Sequence, residues 1–263
     1  MSAHKAALGL FCAAIVSAQN APVDKGRQVI DQAVAALGGD RFLHMHSRIT
    51  GGRIYSFFHD EMNGYDVTTI YTEYLDNKPA KGLSVREREV LGKKQDYSYL
   101  FLPDQGFDVT FRGARPLKSE NWERYVRTTR NDILYILRSR RDEPGMTYDY
   151  IGSEVHITKH VEVVEVTDGK GDTVRVDFDY NTHLPVRQSF SWLDPVSREH
   201  NDEVTEFDKW RDAGGVQWPF TIERHRNGYK IYQMFANRVE VDQPLPEKIF
   251  DLPPGAKILK KMD

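Results

Sequence analysis

Four groups of side chains could carry chemistry. His44-Met45-His46 places two imidazoles on one side of an extended segment, and His59-Asp60 follows at the end of the next extended run, a donor set that a divalent metal would accept. The spacing is unspecific, no HExxH pattern occurs, and surface or helix-end histidines are the simpler reading, so no metal is expected. His156 and His160, four apart on a strand, share a face at a distance and read as solvated. Asp177 and Asp179 lie on the polar side of an alternating strand, where solvent and not a glycosidic bond is the expected neighbour. No Gly-x-Ser-x-Gly elbow and no phosphate-binding glycine loop is present. The sequence therefore predicts a protein that is not an enzyme and needs no cofactor. The fourth group, Arg124, Arg127, Arg130, Arg138, Arg140 and Arg141, reads as the wet side of a helical segment, where it could also meet acidic lipid headgroups or an envelope protein.

The elements around these residues divide the chain of 263 residues into an export segment and one domain. Lys5, the apolar run Ala6 to Val16 and Val16-Ser17-Ala18 have the layout of a secretory signal over residues 1–18, cleaved after Ala18. The run is too short to span a bilayer, which takes about 20 apolar residues. Cys12, the single cysteine, falls inside it, so a cleaved chain would hold no thiol nucleophile, no disulfide and no Cys-ligated metal. A periplasmic location is expected, with no transmembrane span in the mature chain. A formal net charge of -3 excludes the basic footprint that nucleic acid requires.

Asp24 caps a predicted helix in which Val29, Ile30, Ala33, Val34 and Leu37 recur at helical spacing, with Gly38-Gly39 as its stop. Five strands follow with period two: Ile49 to Phe58, Val67 to Tyr74, Val85 to Leu91, Asp96 to Leu102 and Phe107 to Phe111, one of the turns between them at Asn77-Lys78-Pro79. Ser119 to Arg141 returns to helical spacing, as one helix or as two in tandem if Asn131-Asp132 caps a second. Six more strands form an antiparallel meander: Val155 to Val166, Thr173 to Tyr180, Val186 to Leu193, Val204 to Trp210, Val216 to Arg224 and Tyr229 to Val241.

In the meander Val174, Val176, Phe178 and Tyr180 alternate with Arg175, Asp177 and Asp179, as do Val186, Phe190 and Trp192 with Arg187, Ser189 and Ser191. Val216, Trp218, Phe220 and Ile222 continue the apolar face, and Pro219 suggests an edge or a distorted ladder. About eleven strands with one apolar face must curl. The predicted fold is mainly β with helices (α+β): a large curved antiparallel sheet, an incomplete barrel covered by helices, in one domain over residues 24–258. Its interior is either a packed core or a cavity for an apolar ligand.

Several phrases resemble the LolA/LolB-like superfamily of periplasmic lipoprotein carriers. The tail Val239-Glu240-Val241-Asp242-Gln243-Pro244-Leu245-Pro246-Glu247-Lys248-Ile249-Phe250-Asp251-Leu252-Pro253 is similar to the family's closing strand and its aromatic-plus-proline end. Leu184-Pro185-Val186-Arg187-Gln188 and Gly215-Val216-Gln217-Trp218-Pro219 resemble its turns into the sheet, and Phe107-Asp108-Val109-Thr110-Phe111-Arg112-Gly113 falls where the strand before the central helices would lie. The region Ser84-Val85-Arg86-Glu87-Arg88-Glu89-Val90 lacks the carriers' arginine-proline stretch, so no residue is assigned the lid-locking role. The resemblance implies an eleven-stranded half-barrel, a helical lid, and a hydrophobic cavity for a lipoprotein, lipid or other acyl chain. On the sheet side of that cavity the expected residues are Val176, Phe178, Phe190, Trp192, Trp218, Phe220 and Ile222. The alternative is a cell-envelope interaction module with a filled core; a metal-dependent hydrolase built on His44, His46 and His59 is a weaker one.

Overall fold

The computed structural model describes residues 24–76 and 82–261. The export segment and the Asn77-Lys78-Pro79 turn lie outside the described residues. Helix α1 (Lys25–Leu37) begins where the Asp24 carboxylate accepts the Arg27 N–H, and ends at Gly38, whose φ of 126° places it in the region that favours glycine. It is followed by the short α2 (Asp40–Leu43) and strand β1 (Ser47–Phe58). Strands β2 (Glu61–Tyr74), β3 (Val85–Leu91), β4 (Tyr97–Phe101), β5 (Gly106–Thr110) and β6 (Gly113–Pro116) run outward from β1 to one edge of the sheet. After the helical insertion come β7 (Thr147–His156), β8 (Lys159–Thr167), β9 (Thr173–Asp179), β10 (Pro185–Leu193), β11 (His200–Asp212), β12 (Gln217–Arg226) and β13 (Tyr229–Val241). These return from the opposite edge until β13 pairs with β1.

The result is a single antiparallel sheet of thirteen strands that does not close, its edges being β6 and β7. The expected count of about eleven is thus corrected by two. Strand β6 has four residues, too few for a period to register. Strand β7 was hidden because the turn between it and β8 is made by Ile157-Thr158, with Ile157 at φ 58°, a conformation a β-branched residue rarely takes and no turn signal announces. The Val155 to Val166 segment is therefore a hairpin and not one strand. Pro219 lies in an interior strand; its position falls outside the paired β12–β13 stretch, which starts at Thr221. A register shift between Pro185 and Arg187 sends Val186 to the other face of the sheet, where it packs with Val161 and Val163 and not with Phe190 and Trp192.

The insertion is two helical pieces, α3 (Ser119–Arg130) and α4 (Ile133–Tyr135), the second continuing into a π-helical turn over Ile136–Arg140. Asp132 caps α4 by accepting the N–H groups of Leu134 and Tyr135. The break is clamped to the sheet by buried Gln188 of β10, which accepts from the Ile133 N–H at 2.7 Å and donates to the Asn131 carbonyl at 3.1 Å. On the far side the Tyr135 hydroxyl accepts the Ser84 N–H at 2.8 Å. Below these anchors α1, α4 and the π-turn bury Val29, Ile30, Leu37, Ile133 and Leu137 against Val164, Val176, Phe178, Phe190 and Phe220. The tail covers the other face, where Phe250 packs with Leu100, Phe107 and Val109.

Arg124 is exposed, as expected, but the other arginines of the insertion are not its wet side. Arg140 is 3% exposed, donating to Asp168 at 2.7 Å, Glu143 at 3.0 Å and the Arg130 carbonyl at 2.7 Å. Arg138 donates to the Met45 carbonyl at 2.9 Å, and Arg127 stacks over Trp192 with its guanidinium carbon 3.4 Å from the ring centroid. The helical spacing ends at Asn131, so Arg138 and Arg140 beyond it turn inward, while Arg127 lies on the side of α3 that meets β10 and β11. Burial pushes the Asp168 carboxyl up, but Arg140 and the backbone N–H groups of Lys170 and Asp172 outweigh it and hold it below the ordinary range. Arg140→Met removes the nearer of the two guanidinium groups at Asp168, leaving Arg130 at 3.4 Å and the backbone donors, so the folded state should lose about 2–3 kcal/mol in urea unfolding, the scale of hydrogen bonds to a charged group; a loss under about 1 kcal/mol, the value of an exposed pair, would contradict this account.

Candidate ligand-binding site

Between α3 and the inner face of the sheet lies a cavity of about 630 Å³, inside the range of roughly 300–1,000 Å³ usual for small-molecule sites. Strands β1 to β4 form one wall, β12 and β13 the other, and Leu117, Tyr125, Thr128, Thr129 and Leu134 the roof. The helices do not reach across this part of the sheet. Apolar lining comes from Ile70, Phe101, Leu117, Trp218, Ile222 and Met234, with Phe101 and Tyr125 stacked at a centroid distance of 3.7 Å.

Of the seven residues expected to line the sheet side, Trp218 and Ile222 do so. Val176, Phe178, Phe190 and Phe220 belong to the packed cluster beneath α1 and α4. Trp192 packs against that cluster from the side, its indole N–H donating to Glu203 at 3.1 Å under the Arg127 guanidinium. The interior is thus part core and part cavity, and the boundary runs along β12, with Phe220 on the packed side and Ile222 facing the space. The histidines expected as a metal foothold do not gather: His44 bonds the Asp40 carbonyl, His46 lies beside Asp76, and His59 sits edge-on between Phe58 and Tyr229 at the far end of β1. Among the described residues no group of three or more potential metal ligands occurs.

What the sequence reading missed is that the cavity is charged. Arg48 and Thr50 of β1, Thr72 of β2, and Glu87 and Glu89 of β3 share the inner face in register, and Arg224 of β12 and Asp132 at the α4 cap look into the same space. Arg48 is held firmly: it donates to Thr72 at 2.9 Å and to Tyr74 at 3.4 Å, lies 3.8 Å from Glu87, and rests on the Trp218 ring at 4.0 Å. Thr72 passes its own proton to Glu87 at 3.0 Å. Burial raises the Glu87 carboxyl despite Arg48 and Thr72, and raises Asp132 despite Arg224 and its two backbone donors. Glu89 is pushed up to about 7, first by burial and then by the charge of Glu87. The signal for this wall was present in Ser84 to Val90, where acids alternate with arginines, but alternation alone does not say which face is inside.

No protein-family model matches the sequence, and no curated protein matches it either. Solved structures do. A domain named for outer membrane lipoprotein sorting, from Vibrio parahaemolyticus, superposes with a TM-score of 0.58 at 11% identity over 86% of this chain and 96% of that one. A DUF1329 family protein from Desulfovibrio piger superposes with a TM-score of 0.60 at 12% identity over 87% and 98%. The chain has a LolA/LolB-like fold. At such identities the likeness is one of fold: a large antiparallel sheet that does not close, with a few helices, matching a LolA-like curved half-barrel.

The raised Glu89 gives this site a pH signature. A carboxyl ordinarily at 4.5 that sits near 7 in the folded chain keeps its proton longer when folded, so the folded state binds more protons between these values and stability falls as pH rises through the window. Glu89→Gln removes this liability. It should raise the melting temperature relative to the parent at pH 8, with the gap closing below pH about 5; a gap independent of pH would contradict the placement of Glu89 in the interior.

Proposed function

We propose that the chain is an exported, periplasmic carrier or binding protein that holds an acyl chain, as part of a lipid or a lipoprotein, in the cavity under α3. The observation that supports this most is the cavity itself: a sheet incompletely covered by its helices, with Trp218, Ile222, Met234, Ile70 and Phe101 lining the space that remains. The two solved structures of the same fold support it as neighbours, one of them named for lipoprotein sorting. Among the described residues no helix is long and apolar enough to cross a membrane. The proposed work is sequestration and transfer, not a reaction: the cavity supplies shelter from water for apolar surface, worth about 0.8 kcal/mol for each methylene buried. Release would need α3 to move from the sheet, and α3 buries no residue fully, in contrast with α1 and α4.

The test is native mass spectrometry of the protein taken from a bacterial periplasm without detergent, with organic extraction of what accompanies it. Additional mass resolving into lipid or acylated peptide is expected. Ile222→Trp, which fills the cavity from β12 at a residue that is only partly buried against the cluster under α1, should cut that occupancy at least tenfold with the fold retained by circular dichroism. A bare parent protein that also takes up no fluorescent fatty acid would overturn the proposal.

A further inference from the structure

The charged wall of the cavity is out of place in a site for hydrocarbon alone. Arg224 and Glu89 face the cavity from opposite walls, on β12 and β3. Among the described residues neither side chain makes a hydrogen bond or an ion pair, and the Arg224 Nε is buried without a partner. The Arg48 Nε and the Thr50 hydroxyl, also on the cavity wall, are buried without partners as well. A native interior pairs nearly all such groups, and stranded ones mark a place where something else supplies the partner. The unmet groups are of two kinds: guanidinium and hydroxyl donors from Arg48, Thr50 and Arg224, and an acceptor from Glu89. An anion alone would answer the first and face Glu87, Glu89 and Asp132; a cation alone would answer the second and face two guanidinium groups. A head that carries both charges answers each.

Resting on the carrier reading above, we propose that this wall is a headgroup site for a single-chain phospholipid with a zwitterionic head, its phosphate taken by Arg224 and the free Nε of Arg48 and its primary ammonium by Glu89. The chain then lies along Trp218, Ile222 and Met234 under α3. Arg48 is pre-set for this role, because Thr72, Tyr74, Glu87 and the Trp218 ring fix its guanidinium before any ligand arrives. A primary ammonium is specified over a quaternary one because Glu89 needs a hydrogen-bond donor, which choline lacks. The volume favours one acyl chain and its head over a two-chain lipid.

The experiment is calorimetric titration of the delipidated full chain with four probes of equal chain length, below their micellar concentrations: lysophosphatidylethanolamine, lysophosphatidylcholine, lysophosphatidylglycerol and the neutral fatty alcohol. Lysophosphatidylethanolamine should bind at least about tenfold more tightly than either other phospholipid, the scale of one hydrogen bond to a charged group. Glu89→Gln, nearly isosteric, should erase that preference while phosphatidylglycerol binding stays. Arg224→Gln should weaken all three phospholipids about tenfold and leave the alcohol unchanged. Equal binding of the three phospholipids by the parent, or a preference that survives Glu89→Gln, with the alcohol still bound, overturns the headgroup site and leaves the carrier reading standing. Failure of all four probes to bind overturns both.

Discussion

A thirteen-stranded antiparallel sheet with an apolar inner face has to cover that face, and among the described residues the helices that do so are α1, α2 and the insertion between β6 and β7. Everything else in the molecule answers to that shortage. Where α1, α2 and α4 lie, the face is sealed by a packed cluster, with Phe42, Phe178, Ile133 and Leu137 almost wholly removed from water. Where only α3 lies, contact is partial and a space remains. The boundary between the two regions is fixed by polar anchors and not by hydrophobic fit: Gln188 grips the break at Asn131 to Ile133, and Arg140 ties the end of the π-turn to Asp168 across to the β8–β9 connection. Each anchor is buried and fully used, so the insertion has one seat on the sheet.

The same shortage makes the charged wall tolerable. Carboxylates and guanidinium groups buried in a packed core would cost several kcal/mol each, but facing a space of about 630 Å³ they keep access to polar partners that enter it. Arg48, Glu87 and Thr72 bond one another, with only the Arg48 Nε left over, while Arg224 and Glu89 make no hydrogen bond or ion pair among the described residues. Perturbed carboxyls gathered in a cavity are the usual mark of a binding site, and here Glu87, Glu89 and Asp132 line the same space as the unmet donors of Arg48, Thr50 and Arg224. A cavity with an apolar floor and a polar wall suits an amphiphile better than plain hydrocarbon.

Much of the fold was readable in the sequence because period-two alternation and glycine or asparagine turns are local signals. Val85 to Leu91 was bounded as found, and the hairpin at Asn227-Gly228 lies where it was expected. The failures are equally physical. The Ile157 turn breaks the rule that turns announce themselves, and the shift at Pro185 moves Val186 to the opposite face without any change in the pattern of residue types. The site was legible only in part: Trp218 and Ile222 were placed by alternation, but alternation assigns faces and not depth, so it could not separate Ile222 beside the cavity from Phe178 in the core. Arg138 and Arg140 looked solvated because helical spacing was extended past Asn131, where the helix in fact breaks. Glu87, Glu89 and Arg224 were passed over because charged residues on a strand are ordinarily the wet face, a rule that reverses when the inner face borders a cavity.

The central claim, that the space beneath α3 takes up an acyl chain, is tested most directly by methyl NMR of the protein with an acyl amphiphile bearing a nitroxide near the chain end. Broadening confined to the methyl groups of Ile70, Ile222 and Met234, with Val161, Val163 and Val186 on the opposite face unaffected, is the predicted result. Broadening of the outer-face valines with the cavity methyls left sharp would contradict it, since the chain would then lie on the surface of the sheet and the space beneath α3 would not be its site.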